Sequence, residues 1–166
     1  PPHDMLVRLS RRNAWLRTLL DQSKPSAHDR ELAVFLIRQE ALKRGGVARA
    51  VELLERDGFQ IVMTKEFNRE TSEKVGQSIR GGNWGRGPWK ISGGLPVAAI
   101  VTYDSSPLLP TWRQRRRQPF VVNARLFWKK RIREAFNEGY SEDQHCNVVH
   151  SSDNGREALD YLRIIM

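Results

Sequence analysis

Residues 32–37 read LAVFLI, an unbroken apolar run with no charge and no turn residue inside it. Its length suits a β-strand, and continuity rather than alternation suits a strand in the middle of a sheet. The rest of the chain must be built outward from that strand. Residues 46–57 place Val47, Ala50, Val51 and Leu54 on one helical stripe, with Gly58 where a C-terminal cap belongs. Residues 59–67 return to strand composition, and Thr71 stands where it would cap a short helix ending near Ile79.

Residues 81–96 hold six glycines and two prolines and must be loop. A third, apolar strand follows at 96–104, then an irregular, arginine-rich connection at 105–120. Residues 123–136 read as a helix whose period is carried by Leu126, Phe127, Ile132 and Phe136. Residues 146–150 form a short fourth strand, and Asp153 opens a last helix bearing Ala158, Leu159, Leu162 and Ile165.

The order is β-α-β-α-β-α-β-α. It predicts an α/β (α+β) fold: a ferredoxin-like split β-α-β sandwich, with a four-stranded antiparallel sheet and its helices on one face. A doubly wound parallel sheet is the competitor, but it wants more strands and a phosphate loop after the first. Ahead of this domain, residues 6–20 gather Leu6, Leu9, Trp15, Leu16, Leu19 and Leu20 near one helical face, opposite Arg8, Arg11 and Arg12. The predicted division is an amphipathic helix and linker over 1–30 and the α/β domain over 31–166.

The apolar share of 39% supplies a core for one domain. No run approaches the roughly 18 apolar residues of a membrane span. A single cysteine, Cys146, excludes an intrachain disulfide and predicts an intracellular, cytoplasmic setting. A formal net charge of +9 favours polyanions: nucleotides, nucleic acid, acidic proteins or anionic membranes. The charge is uneven, with Arg113, Arg115, Arg116 and Arg117 close together between Trp112 and Phe120.

Two tempting motifs fail on their chemistry. Gly82 to Gly87 has the spacing of a Walker loop, but Pro88 and Trp89 stand where lysine and a hydroxyl residue are required. His150 and Cys146 could share a strand face while His145 points away, and two ligands fall short of a metal site. What remains is the run 147–159, NVVHSSDNGREAL: a histidine at the end of a buried strand, then Ser-Ser-Asp and a helix.

That run resembles the active-site signature of nucleoside diphosphate kinases, N-[IV]-[IV]-H-[GS]-S-D-S, with Asn147 through Asp153 in register. Three upstream segments resemble the family in the same order: residues 44–65 (RGGVARAVELLERDGFQIVMTK), 93–101 (GGLPVAAIV) and 131–136 (RIREAF). The likeness covers roughly 32–165. It implies a phosphotransferase that moves a γ-phosphate from a nucleoside triphosphate through a phosphohistidine at His150 to a nucleoside diphosphate. It also implies Mg2+ carried by the nucleotide and a homo-oligomer. By the same resemblance Asn147 contacts the sugar, Arg133 and Arg125 bind phosphate, Arg38 stands in for a family lysine, and Trp84 stacks on the base. Ser152, Asp153 and Asp160 support the histidine.

The departures crowd the implied pocket. Arg38-Gln39-Glu40-Ala41 replaces K-P-D-G, Gly76 falls where a tyrosine is usual, and the segment between Arg125 and Arg133 is short. The glutamate that would orient the histidine falls near Tyr161, with Asp160 adjacent. A second reading therefore stays open: a non-catalytic module binding nucleotide or RNA through the Arg113–Arg117 cluster. A third makes that cluster a seat for an acidic protein.

Overall fold

The computed structural model describes residues 29–79 and 84–166. The amphipathic helix expected at 6–20, like the start of the glycine-rich loop, lies outside the described residues. The elements are β1 (Leu32–Arg38), α1 (Gln39–Leu42), α2 (Gly46–Arg56), β2 (Gln60–Glu66), α3 (Arg69–Ser78), β3 (Pro96–Tyr103), α4 (Trp112–Arg117), α5 (Lys129–Asn137), β4 (Val149–Ser151) and α6 (Gly155–Ile165). The sheet order is β2-β3-β1-β4, with every neighbouring pair antiparallel. This is the expected α+β split β-α-β arrangement: β3 lies between β1 and β2, and β1 lies between β3 and β4.

One expectation needs correcting. The helices cover both faces of the sheet, not one. Ala33, Phe35 and Ile37 of β1 join α2 and α5 residues Ala50, Leu54, Ile132 and Phe136 in one core. Leu32, Val34 and Leu36 join α3 and α6 residues Val75, Ala158, Leu162 and Ile165 in another. A strand that is apolar on both sides needs an apolar layer on both sides. All seven residues of β1 are buried, and burial of each large apolar side chain contributes roughly 1.5–3 kcal/mol. Phe35 and Phe59 meet edge to face at 5.3 Å.

Local chemistry moves several boundaries. Asn68, not Thr71, caps α3, its side chain accepting from Thr71 N. Asn154, not Asp153, caps α6 by accepting from Glu157 N at 2.9 Å. The helix expected at 123–136 starts as a 3-10 turn over Ala124–Trp128 and becomes α-helical only at Lys129. The cause is Asn123, whose side-chain oxygen accepts from Arg125 N at 3.0 Å and fixes a tight first turn. Inside the 105–120 connection, a Thr111–Gln114 capping box creates the short helix α4. The regular pairing of β4 begins at Val149 rather than 146, because Asn137 takes the main chain at Cys146 through Cys146 N and O.

Candidate functional site

His150 lies at the middle of β4, opposite Leu36 of β1. Because Val149 and Ser151 pack toward the α5 side, the imidazole turns toward α6. There Nε2 meets the hydroxyl of Tyr161 at 2.8 Å. Tyr161 is buried, and its hydroxyl also bonds the Glu157 carboxyl one helical turn earlier. Glu157 in turn accepts from Asp153 N at 2.6 Å. With Glu157 as terminal acceptor, the consistent proton assignment runs Nε2–H to Tyr161, then Tyr161 O–H to carboxylate. That tautomer leaves the lone pair on Nδ1, which has no hydrogen-bond partner among the described residues.

Trp84 presses on the same ring, edge to face, with centroids 5.6 Å apart. Burial first, then the positive charges of Lys129, Arg133 and Arg38, push the His150 pKa from 6.5 down to about 3. The imidazole is therefore neutral near pH 7. A cleft of about 420 Å³ is lined by Tyr161, Glu157, Asp153 and Phe120; it shares Tyr161 with this cluster, and His150 itself is not in its lining.

Of the three cations around His150, the two arginines are fixed by main-chain carbonyls and Lys129 by side chains. Arg133 donates from Nε and Nη2 to Val149 O at 3.2 and 3.0 Å. Arg38, 1% exposed, donates from Nε to Gly94 O at 2.8 Å and from Nη2 to Trp84 O at 2.6 Å. Its pKa falls to about 10 through burial. This guanidinium, expected as a phosphate ligand, ties the glycine-rich loop to β1, and its charge acts on His150 without a direct hydrogen bond. Lys129 donates to Ser151 Oγ at 3.1 Å and lies 3.8 Å from Asp153; burial lowers its pKa.

The other expected residues divide plainly. Asn147 adjoins the loop, its carbonyl packed so close to Gly93 that a Cβ there would lie 1.9 Å from it. Its side-chain oxygen accepts from Val149 N at 3.3 Å. Ser152 is buried, and its Oγ accepts from Val34 N at 3.0 Å, extending the β1–β4 pairing. Arg125 is drawn to Asp104 at 3.2 Å and to Asp57 O at 2.9 Å, and is not among the charges acting on His150. Asp160 is exposed and pairs with Arg163 at 2.6 Å. Arg113, Arg115, Arg116 and Arg117 lie on α4, apart from these contacts. Lys129 and Glu157 were not singled out from sequence. The readable signal was the Glu157–Tyr161 spacing, which puts both on one face of the helix after the histidine.

Among the described residues, no group of three or more His, Cys, Asp or Glu side chains could hold a metal ion. Nor is any helix among them long and apolar enough to cross a membrane.

No family model and no curated protein matches this chain. Among solved structures it is similar to a nucleoside diphosphate kinase of Aquifex aeolicus, at 19% identity over 82% of this chain and 94% of that one, with a TM-score of 0.44. It is also similar to a nucleoside diphosphate kinase of Halobacterium salinarum in complex with CDP, at 16% identity over 81% and 87%, with a TM-score of 0.41. Overlap and identity at this level assign neither family nor activity.

Proposed function

We propose that this chain is a nucleotide-dependent phosphotransferase with His150 as the residue that accepts the phosphoryl group. The observation that carries the reading is the state of the imidazole: uncharged, held at Nε2 by Tyr161, with Nδ1 unengaged among the described residues, and set among Lys129, Arg133 and Arg38. In the first half-reaction the Nδ1 lone pair attacks the γ-phosphorus and the bond to the β,γ-bridging oxygen breaks. Nucleoside diphosphate leaves, and an N–P bond remains. The Nε2 proton stays on the ring, hydrogen-bonded to Tyr161. In the second half-reaction an acceptor oxygen takes the phosphoryl group and restores neutral imidazole. The surrounding cations favour the dianionic phosphoryl group that His150 then carries. Any Mg2+ would travel with the triphosphate and neutralise its charge. The sequence run 147–153 supports the same reading independently. Because Arg38 is engaged and Trp84 packs on the histidine, transfer is expected to be slow.

The test is incubation with γ-labelled ATP and magnesium. Acid-labile, alkali-stable label on the native chain and none on His150→Ala is the expected result. No label on either protein, with GTP also tried as donor, defeats the proposal.

A further inference from the structure

Two groups of arginines among the described residues contrast in what they touch. Arg38, Arg44, Arg49, Arg125 and Arg133 all donate to main-chain carbonyls. Arg113, Arg115 and Arg117 of α4 are exposed and, among the described residues, their guanidiniums have no partner. Among the described residues Arg116 meets only the ring of Trp112, at 5.3 Å. No residue of α4 is buried, and no acidic residue occurs from 105 to 133 to answer these charges locally.

Large apolar side chains lie exposed in the same stretch. Leu109 and Phe120 are each 66% exposed, Trp112 64% and Leu108 43%. The short helix that carries the charges is not loose: the Thr111–Gln114 capping box sets its start, and Phe120 O accepts from Asn154 Nδ2 at 3.2 Å. An exposed, capped segment that is both basic and apolar suits a partner that is both anionic and apolar. A second copy packed through the same surface would bring arginine against arginine at a net charge of +9 per chain. Single-stranded nucleic acid would answer the arginines and the two rings, but offers nothing to Leu108 and Leu109. An acidic lipid bilayer answers all of them: headgroups for guanidinium, the interface for Trp112, acyl chains for the leucines and Phe120.

We propose that the 108–120 segment is a peripheral docking surface for anionic membranes. The reading is independent of phosphotransfer at His150. The experiment is co-sedimentation of the full chain with vesicles of phosphatidylcholine alone or with 30% phosphatidylserine, against rising salt. The expected result is binding to the anionic vesicles only, weakening with salt. Replacing Arg113, Arg115, Arg116 and Arg117 by alanine is expected to weaken it by roughly fivefold per arginine. Leu109→Ser with Trp112→Ser, which leaves the charge intact, is expected to weaken it by about tenfold or more. All variants should keep the native circular dichroism spectrum and the phosphohistidine label of the native chain. Absence of binding to anionic vesicles overturns the proposal. So does binding that the Leu109/Trp112 variant retains in full. A fluorescent 12-nucleotide oligouridylate bound more tightly than the vesicles, and equally by Leu109→Ser, would make the surface a nucleic-acid site instead.

Discussion

Moving His150 from water into its place between Trp84 and Tyr161 favours its neutral form, and this makes the fold sensitive to acid. The folded pKa is about 3 against 6.5 for the free side chain, so between those values the unfolded chain binds more protons than the folded one. Stability is then fully present above pH 6.5 and falls as the pH drops toward 3. The slope from this one group is at most about 1.4 kcal/mol per pH unit. Urea denaturation from pH 7 to pH 4 should show this slope in the native chain and a shallower one in His150→Gln, which cannot titrate. Identical slopes would mean that the imidazole is hydrated. Tyr161→Phe tests the other side of the ring. Without the hydroxyl, Nε2 loses its holding partner, and labelling by ATP should slow by about tenfold, the worth of one hydrogen bond. The His150 ring titration followed by NMR should shift at the same time, which a purely packing role for Tyr161 would not produce. The run 147–153 was readable because it is contiguous. Its partners were not: Arg38 reaches Trp84 across 46 positions, and nothing local in the sequence announces a guanidinium pointed at carbonyls rather than at solvent.

Among the elements, the loop between α3 and β3 depends most on distant contacts. Its described part, from Trp84 to Leu95, has no regular structure of its own. It is held by Arg38 and by Ser92, whose Oγ donates to Trp84 O at 2.8 Å. Arg38→Ala would take the guanidinium from Gly94 O, leave Trp84 O to Ser92 alone and empty the space of a buried side chain, and should cost about 3 kcal/mol in thermal or chemical unfolding. Arg38→Lys should recover only part of this, since an ammonium cannot reproduce the guanidinium fork. Full recovery by lysine would show that charge alone matters there. Gly93→Ala is the harsher change, because the new Cβ would lie 1.9 Å from Asn147 O and force the loop away from β4. A loss of about 3 kcal/mol or more is expected, with slower labelling of His150 in whatever remains folded. The strands and longer helices were legible because each carries its own period. The 3-10 turn at Ala124–Trp128 and the helix α4 were not, since each depends on one side-chain cap, at Asn123 and Thr111, rather than on a repeating pattern.

For the molecule as a whole, the decisive feature is that one strand serves two cores. Alternate residues of β1 enter the α2–α5 layer and the α3–α6 layer, so neither layer can lose its packing without exposing the back of the strand that the other needs. The unbroken apolar run at 32–37 already contained this information. A sheet with helices on one face would leave Leu32, Val34 and Leu36 in water; the order of elements does not carry that consequence, whereas the two faces of the strand do. Residues 29–166 should therefore unfold as one cooperative unit. Phe35→Ala removes packing from one layer and Leu36→Ala from the other, and each should cost about 3–5 kcal/mol. In both variants, circular dichroism and tryptophan fluorescence should report one coincident transition. Two tryptophans report on different layers when each is the single tryptophan left of the five: Trp84 packs with the α3–α6 side, whereas Trp128 immediately precedes α5. If Phe35→Ala moved the Trp128 signal ahead of the helical signal while Leu36→Ala left it in place, the layers would be separable. β1 would then be a shared boundary rather than a shared core.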